Sequence, residues 1–232
     1  MSILVVVAHP DDEVLGCGGT VTALAAGGKD VRTCILSASA QARCSKPDEA
    51  TLRDNIRSAH ECLGITDEFL GDFPNIRFNT VPHLELVMFI ENAIARAEAD
   101  MVFTHSPGDL NDDHRQTSRA CQAAVRIAQR RPGLRPLRAL YFMEIASSTD
   151  WSFRGDGGPC FVPDAFFELG EELLMKKTEA LRRYQDVMRE FPHPRSEEII
   201  RALAAYRGGQ AGVKYAEAFQ TAFSLLSTFI QV

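Results

Sequence analysis

His9, Asp11, Asp12 and Glu13 crowd the stretch AHPDDEVLGCGG, and a second polar run, HSPGDLNDDH, carries His105, Asp109, Asn111, Asp112, Asp113 and His114. Imidazoles and carboxylates without thiolates form a donor set suited to zinc or another borderline divalent ion. A hydrolytic metal site keeps three protein ligands and an open position for water. The two runs hold more carboxylates than coordination needs, and a surplus carboxylate can move a proton. Two other readings of the first run fail on its spelling. GCGGT is not the GxGxxG of a dinucleotide site, and three acids at the turn would repel a pyrophosphate. Favourable interaction with a helix dipole accounts for one acid, Glu13, but not for His9-Pro10 ahead of an Asp-Asp pair.

Both runs follow apolar stretches that read as strands. Ile3 to Val7 is an unbroken aliphatic run, the pattern of a strand buried on both faces, and Val14, Cys17, Val21 and Leu24 then recur at helical spacing until Gly27-Gly28. DVRTCILSAS gives a second strand, and Ser45 to Asp48 resembles a capping box for a helix through Leu52, Ile56, Ala59 and Leu63. An amphipathic helix through Leu86, Ile90, Ala93 and Ala97 leads to the strand ADMVFTHS, and a helix through Ala120, Ala124 and Ala128 leads to the strand LRALYFMEIAS. Alternation of this kind predicts an α/β, Rossmann-like three-layer fold with a mostly parallel sheet. Ligands of such sheets bind beyond the carboxyl ends of the strands, which is where both polar runs fall. Further on, FVPDAFFEL reads as extended, residues 171–188 as a helix, and a helix from Ser196 is expected to stop at Gly208-Gly209. GVKYAEAFQTAFSLL fits helix or strand equally.

The bulk numbers narrow the classes. A chain of 232 residues, 45% hydrophobic, can bury a full core, so residues 1–232 are expected to form a single domain. The six cysteines contain no CxxC pair, and a net charge of −6 offers no basic stripe, which argues against a zinc ribbon and against nucleic acid. No apolar run is long enough to span a bilayer, and the N-terminus lacks a signal-peptide pattern, so the expected address is cytoplasmic. Self-association is left open.

AHPDDE after a buried strand resembles the signature of the PIG-L/LmbE-like N-deacetylases, zinc enzymes that remove acetyl groups from N-acetylglucosamine units. GDLNDDHR resembles the family's other metal motif, and FPHPRS with AEAF resembles a bacterial branch linked to surface-polysaccharide sugars. The resemblance runs from residue 3 to about residue 220 and implies His9, Asp12 and His114 as metal ligands with Asp11 as general base. The expected substrate is an N-acetyl sugar; a metal-dependent amidase acting on another small amide, such as a thiol-sugar conjugate, is the alternative. Asn111 stands where some branches carry a histidine, and an amide can donate a hydrogen bond to an oxyanion but cannot supply a proton. Arg53 is placed near the sugar by the resemblance, against the plain reading of a solvated helix arginine. His193 and Arg195 are read as substrate contacts or as parts of a proline-shaped turn. His105 and Asp113 are expected to orient the ligands. Trp151 offers a stacking face or simple packing, Glu144 falls near the same rim, and His60 and His83 read as surface residues.

Overall fold

The computed structural model describes residues 1–39, 47–152 and 159–226. Strands β1 (Ser2–Val7), β2 (Asp30–Ile35), β3 (Asp67–Leu70), β4 (Met101–His105), β5 (Ala139–Met143), β6 (Ala165–Leu169) and β7 (Tyr215–Ser224) form one sheet in the order β3-β2-β1-β4-β5-β7-β6. The first five neighbours run parallel, whereas β7 pairs antiparallel with both β5 and β6. Helices α1 (Asp12–Ala26), α2 (Glu49–Leu63), α5 (Glu171–Arg183) and α6 (Glu197–Ala211) supply one core, and α3 (His83–Ala97) and α4 (Asp112–Ala124) the other. Because side chains alternate along a strand, β1 sends Ile3, Val5 and Val7 into the first core and Leu4 and Val6 into the second. That double burial explains its unbroken aliphatic sequence. Strand order reverses between β1 and β4, so the loops after these two strands open onto the switch point of the sheet.

The glycines of GCGG serve packing. A Cβ on Gly16 would lie 2.3 Å from Met143 Sδ, and one on Gly19 would lie 2.8 Å from Leu169 Cδ1, so α1 presses against the sheet where no side chain fits. Cys17 breaks the helical path at φ −148° and ψ 22°. The backbone groups around this kink find buried partners. Lys177 Nζ donates to the Leu15 carbonyl at 2.8 Å, while Glu217 accepts from the Gly19 and Thr20 amides at 3.0 and 2.7 Å. Lys177 and Glu217 also pair at 2.7 Å, so neither charge is buried alone.

Several boundaries differ from the sequence reading. The cap of α2 is Asp48, whose carboxylate accepts from the Thr51 amide at 2.8 Å, and Ser45 lies outside the described residues. Helix α4 ends at Ala124, and Ala128 falls in a short 3-10 turn, Val125–Gln129. Helix α5 ends at Arg183 because Tyr184 turns into an extended conformation. Helix α6 passes through Gly208-Gly209 and stops at Gly212, whose φ of 76° is the left-handed conformation of a helix end. Gly208 is there for contact: a Cβ would meet the Lys214 backbone at 2.7 Å. The ambiguous segment is β7, a strand between two others. Strand β3, only four residues at the sheet edge, is too short to show a period in sequence.

Candidate active site

The turn after β1 begins with a strained residue. Asp11 sits at φ 98° and caps α1, a left-handed conformation uncommon outside glycine, asparagine and aspartate. Its amide donates to Glu13 Oε2 at 3.1 Å, and Glu13 Oε1 accepts from the Tyr184 hydroxyl at 2.6 Å. His9 and Asp12 flank it, with His9 Nδ1 3.4 Å from Asp12 Oδ2. From the start of α4, His114 Nε2 approaches the same oxygen at 3.3 Å. Donor atoms of His9, Asp12 and His114 all lie within 4.8 Å of one another, and all three residues are buried.

Each imidazole is held from behind by a carboxylate. His9 Nε2 meets Asp113 Oδ2 at 3.0 Å, and His114 Nδ1 meets Asp109 Oδ2 at 3.2 Å. These contacts leave His9 Nδ1 and His114 Nε2 facing Asp12, the orientation in which both rings and the carboxylate converge on one cation. Asp113 is fixed by the Ile76 and Phe78 amides, at 2.6 and 2.9 Å. Asp109 accepts from the Ser148 hydroxyl and, at 2.7 Å, from Thr149 Oγ1. His105, Asp109 and His114 form a second close group. His105 Nε2 accepts from the Ala8 amide at 2.9 Å and its ring stacks on His114 at 3.9 Å, so this group supports the first.

The electrostatics suit a cation. Burial works against charge on His114, yet Asp12 and Asp109 override it and raise the imidazole to about 10. Burial also opposes ionisation of Asp12, and His114 and His9 hold its carboxyl well below the ordinary range. His105, buried beside His114, is pushed down to about 3. Against its burial, His9 too is raised, by Asp113 and Asp12, so the cluster favours positive charge among its carboxylates, and its nitrogen and oxygen donors match what zinc and similar ions accept.

The remaining sequence candidates are spread around this centre. Arg195 Nη1 lies 3.2 Å from Asp11 Oδ2, and its Nε donates to Ser147 Oγ at 2.9 Å. His193 Nδ1 accepts from the Arg195 amide at 3.0 Å, and the Trp151 ring stands 6.4 Å from the His193 ring. Trp151 is half-exposed, which overturns the reading of it as core packing. Arg53 lines a cavity of about 590 Å³ at the ends of β2 and β3. Asn111 caps α4, its Oδ1 accepting from the Asp113 amide at 2.9 Å. Glu144 is taken by Arg207, at 2.7 and 2.6 Å.

Sequence reasoning gave no role to Ser148, Thr149 or Tyr184, named Asp109 only as one of the polar residues of its loop, and read Glu13 only as a helix-dipole charge. The loop after β5, which carries Ser148 and Thr149, follows the same strand-end rule as the other two, and that was the signal available. His83 is exposed as expected. His60, expected at the surface, is buried: its Nδ1 meets Glu68 Oε2 at 2.7 Å and its Nε2 lies 3.6 Å from Glu13 Oε1. Burial opposes its charge, and Glu13 from α1 with Glu68 from β3 raises it to about 9. The folded protein holds this proton more tightly than the unfolded chain, where histidine titrates near 6.5. The resulting stabilisation, roughly 1–3 kcal/mol, is complete below about pH 6.5 and is lost as pH rises through about 9. His60→Gln should therefore melt below the wild type at about pH 6, with the gap closing by about pH 9.5. An equal deficit at both pH values would exclude a charged His60.

Buried imidazoles and carboxylates that converge at the switch point of a mostly parallel sheet define a candidate metal site on an α/β fold. Residues 4–125 match the PIG-L family, described as GlcNAc-PI de-N-acetylase, and the chain belongs to that family of N-deacetylases. Among solved structures, it is similar to a conserved protein of Thermus thermophilus (27% identity, TM-score 0.76, all of both chains covered). The 4-carboxy-2-hydroxymuconate hydratase of Pseudomonas putida shares the fold at 24% identity and TM-score 0.75, over 99% of this chain and 100% of that one. So does the N,N'-diacetylchitobiose deacetylase of Pyrococcus horikoshii, at 19% identity and TM-score 0.75, over 98% and 87%. No curated protein matches in sequence. Among the described residues, no helix is long and apolar enough to cross a membrane.

Proposed function

We propose that the chain removes the acetyl group from an N-acetylglucosamine-type sugar, releasing acetate and an amino sugar, with a divalent ion, zinc by its donor set, as cofactor. The convergence of His9, Asp12 and His114 within 4.8 Å carries this reading. His9 Nδ1, Asp12 and His114 Nε2 would hold the ion, which supplies a Lewis acid and lowers the pKa of water toward about 7. Asp11 takes the proton from water as oxygen bonds to the acetyl carbon, and returns it to nitrogen as the C–N bond breaks. Arg195 fixes the Asp11 carboxylate at 3.2 Å, and Asp109 and Asp113 hold the two imidazoles in register. With Asn111 Oδ1 committed to the cap of α4, Nδ2 is the donor this side chain has for an oxyanion. Arg53 and His193 are assigned to the sugar.

Acetate release from free, nucleotide-linked and lipid-linked N-acetyl sugars, with and without a chelator, tests the reading. Because a hydratase shares the fold, an unsaturated hydroxy acid belongs in the same screen. Chelator-sensitive acetate release supports deacetylation. Turnover of the unsaturated acid, or of a non-sugar amide alone, would overturn the sugar assignment.

A further inference from the structure

Ile76 combines three properties that folding alone does not favour. Its φ of 57° lies in the left-handed region, where a β-branched side chain is an outlier. It remains 51% exposed, so little burial offsets that strain. It also lines the cavity of about 590 Å³ that Arg53, Asn75 and Arg77 share.

The backbone at this position is set by the active site. The Ile76 amide donates to Asp113 Oδ2 at 2.6 Å, and that oxygen meets His9 Nε2 at 3.0 Å. Phe78 binds the other oxygen of the same carboxylate at 2.9 Å. The loop is therefore tied to a ligand-orienting residue, and the Ile76 side chain is presented to the cavity beside it. Glycine or asparagine would accept this conformation with less strain.

We infer that Ile76 is a specificity-determining residue whose apolar side chain packs against the C–H face of the amino sugar, an assignment that rests on the deacetylase reading of the adjacent site. Its contact area goes to whatever enters the cavity.

Ile76→Asn and Ile76→Gly test this against Ile76→Leu. On the best substrate of the wild type, the first two should raise KM ~10-fold or more, the scale of a lost apolar contact, with kcat and metal content retained. Their melting temperatures should equal or exceed that of the wild type, and Ile76→Leu should keep KM within ~3-fold. Unchanged KM in Ile76→Asn and Ile76→Gly would overturn the proposal. So would a joint fall of kcat and metal, which would mean that the residue acts only through Asp113. Calorimetric titration with N-acetylglucosamine separates the two readings. A wild type that binds the sugar but releases no acetate refutes deacetylation alone, and binding that weakens in Ile76→Asn still supports the contact. No binding by the wild type to N-acetylglucosamine in free, nucleotide-linked or lipid-linked form refutes both.

Discussion

In Asp11→Asn, turnover falls by ~10²–10⁴-fold while the metal stays bound, the loss that follows removal of general-base help. Asparagine keeps the size of the side chain and tolerates the left-handed backbone at φ 98°, so the start of α1 should survive the change. Arg195 retains an oxygen partner in the new amide, and the Glu13 contact is made by the backbone of residue 11 and persists. What disappears is the proton acceptor. Paired kcat and metal measurements check it, with Asp12→Asn as the contrast, which should weaken metal binding instead. If the two variants behave the other way round, the neighbouring aspartates exchange roles.

His114→Ala should lose bound metal and, with it, measurable acetate release. The substitution removes one of three convergent donors and leaves only His9 and Asp12, too few to hold an ion tightly. Asp12 keeps His9 and Asp109 keeps the Ser148 and Thr149 hydroxyls, but both lose the imidazole between them, and two buried carboxylates with one cationic partner fewer should lower the melting temperature in the metal-free state. Elemental analysis that finds full occupancy in a folded His114→Ala protein would refute the ligand assignment.

Much of the parallel sheet was legible because double burial writes itself into sequence as apolar runs, clearest in the aliphatic β1. The last strands were harder. Tyr215–Ser224 mixes alanine with polar residues, and its strand identity comes from pairing with β5 and β6, partners far away in the chain. His9, Asp11, Asp12 and His114 were legible because two short motifs contain them. Of their supports, Asp113 and His105 could be read from the same loops, but the others could not, since Asp109 is stabilised by hydroxyls from a third loop and His60 reaches Glu13 only when α2 docks on α1. Arg195 was readable as a polar loop residue, but its place 3.2 Å from Asp11 depends on a contact across 184 positions.

The kink in α1 bears on the order in which the molecule can be completed. A ribosome delivers the chain from its N-terminus, and both motifs are out once residue 114 has emerged. The groups that close the broken turn behind the first motif, Lys177 and Glu217, come much later, the last about a hundred residues on. Until then the Leu15 carbonyl and the Gly19 and Thr20 amides lack these side-chain contacts, and the Asp11 carboxylate lacks its contact with Arg195. The contacts that finish the turn behind the first motif thus come from residues outside the matched region, 4–125, and form only after both motifs have emerged.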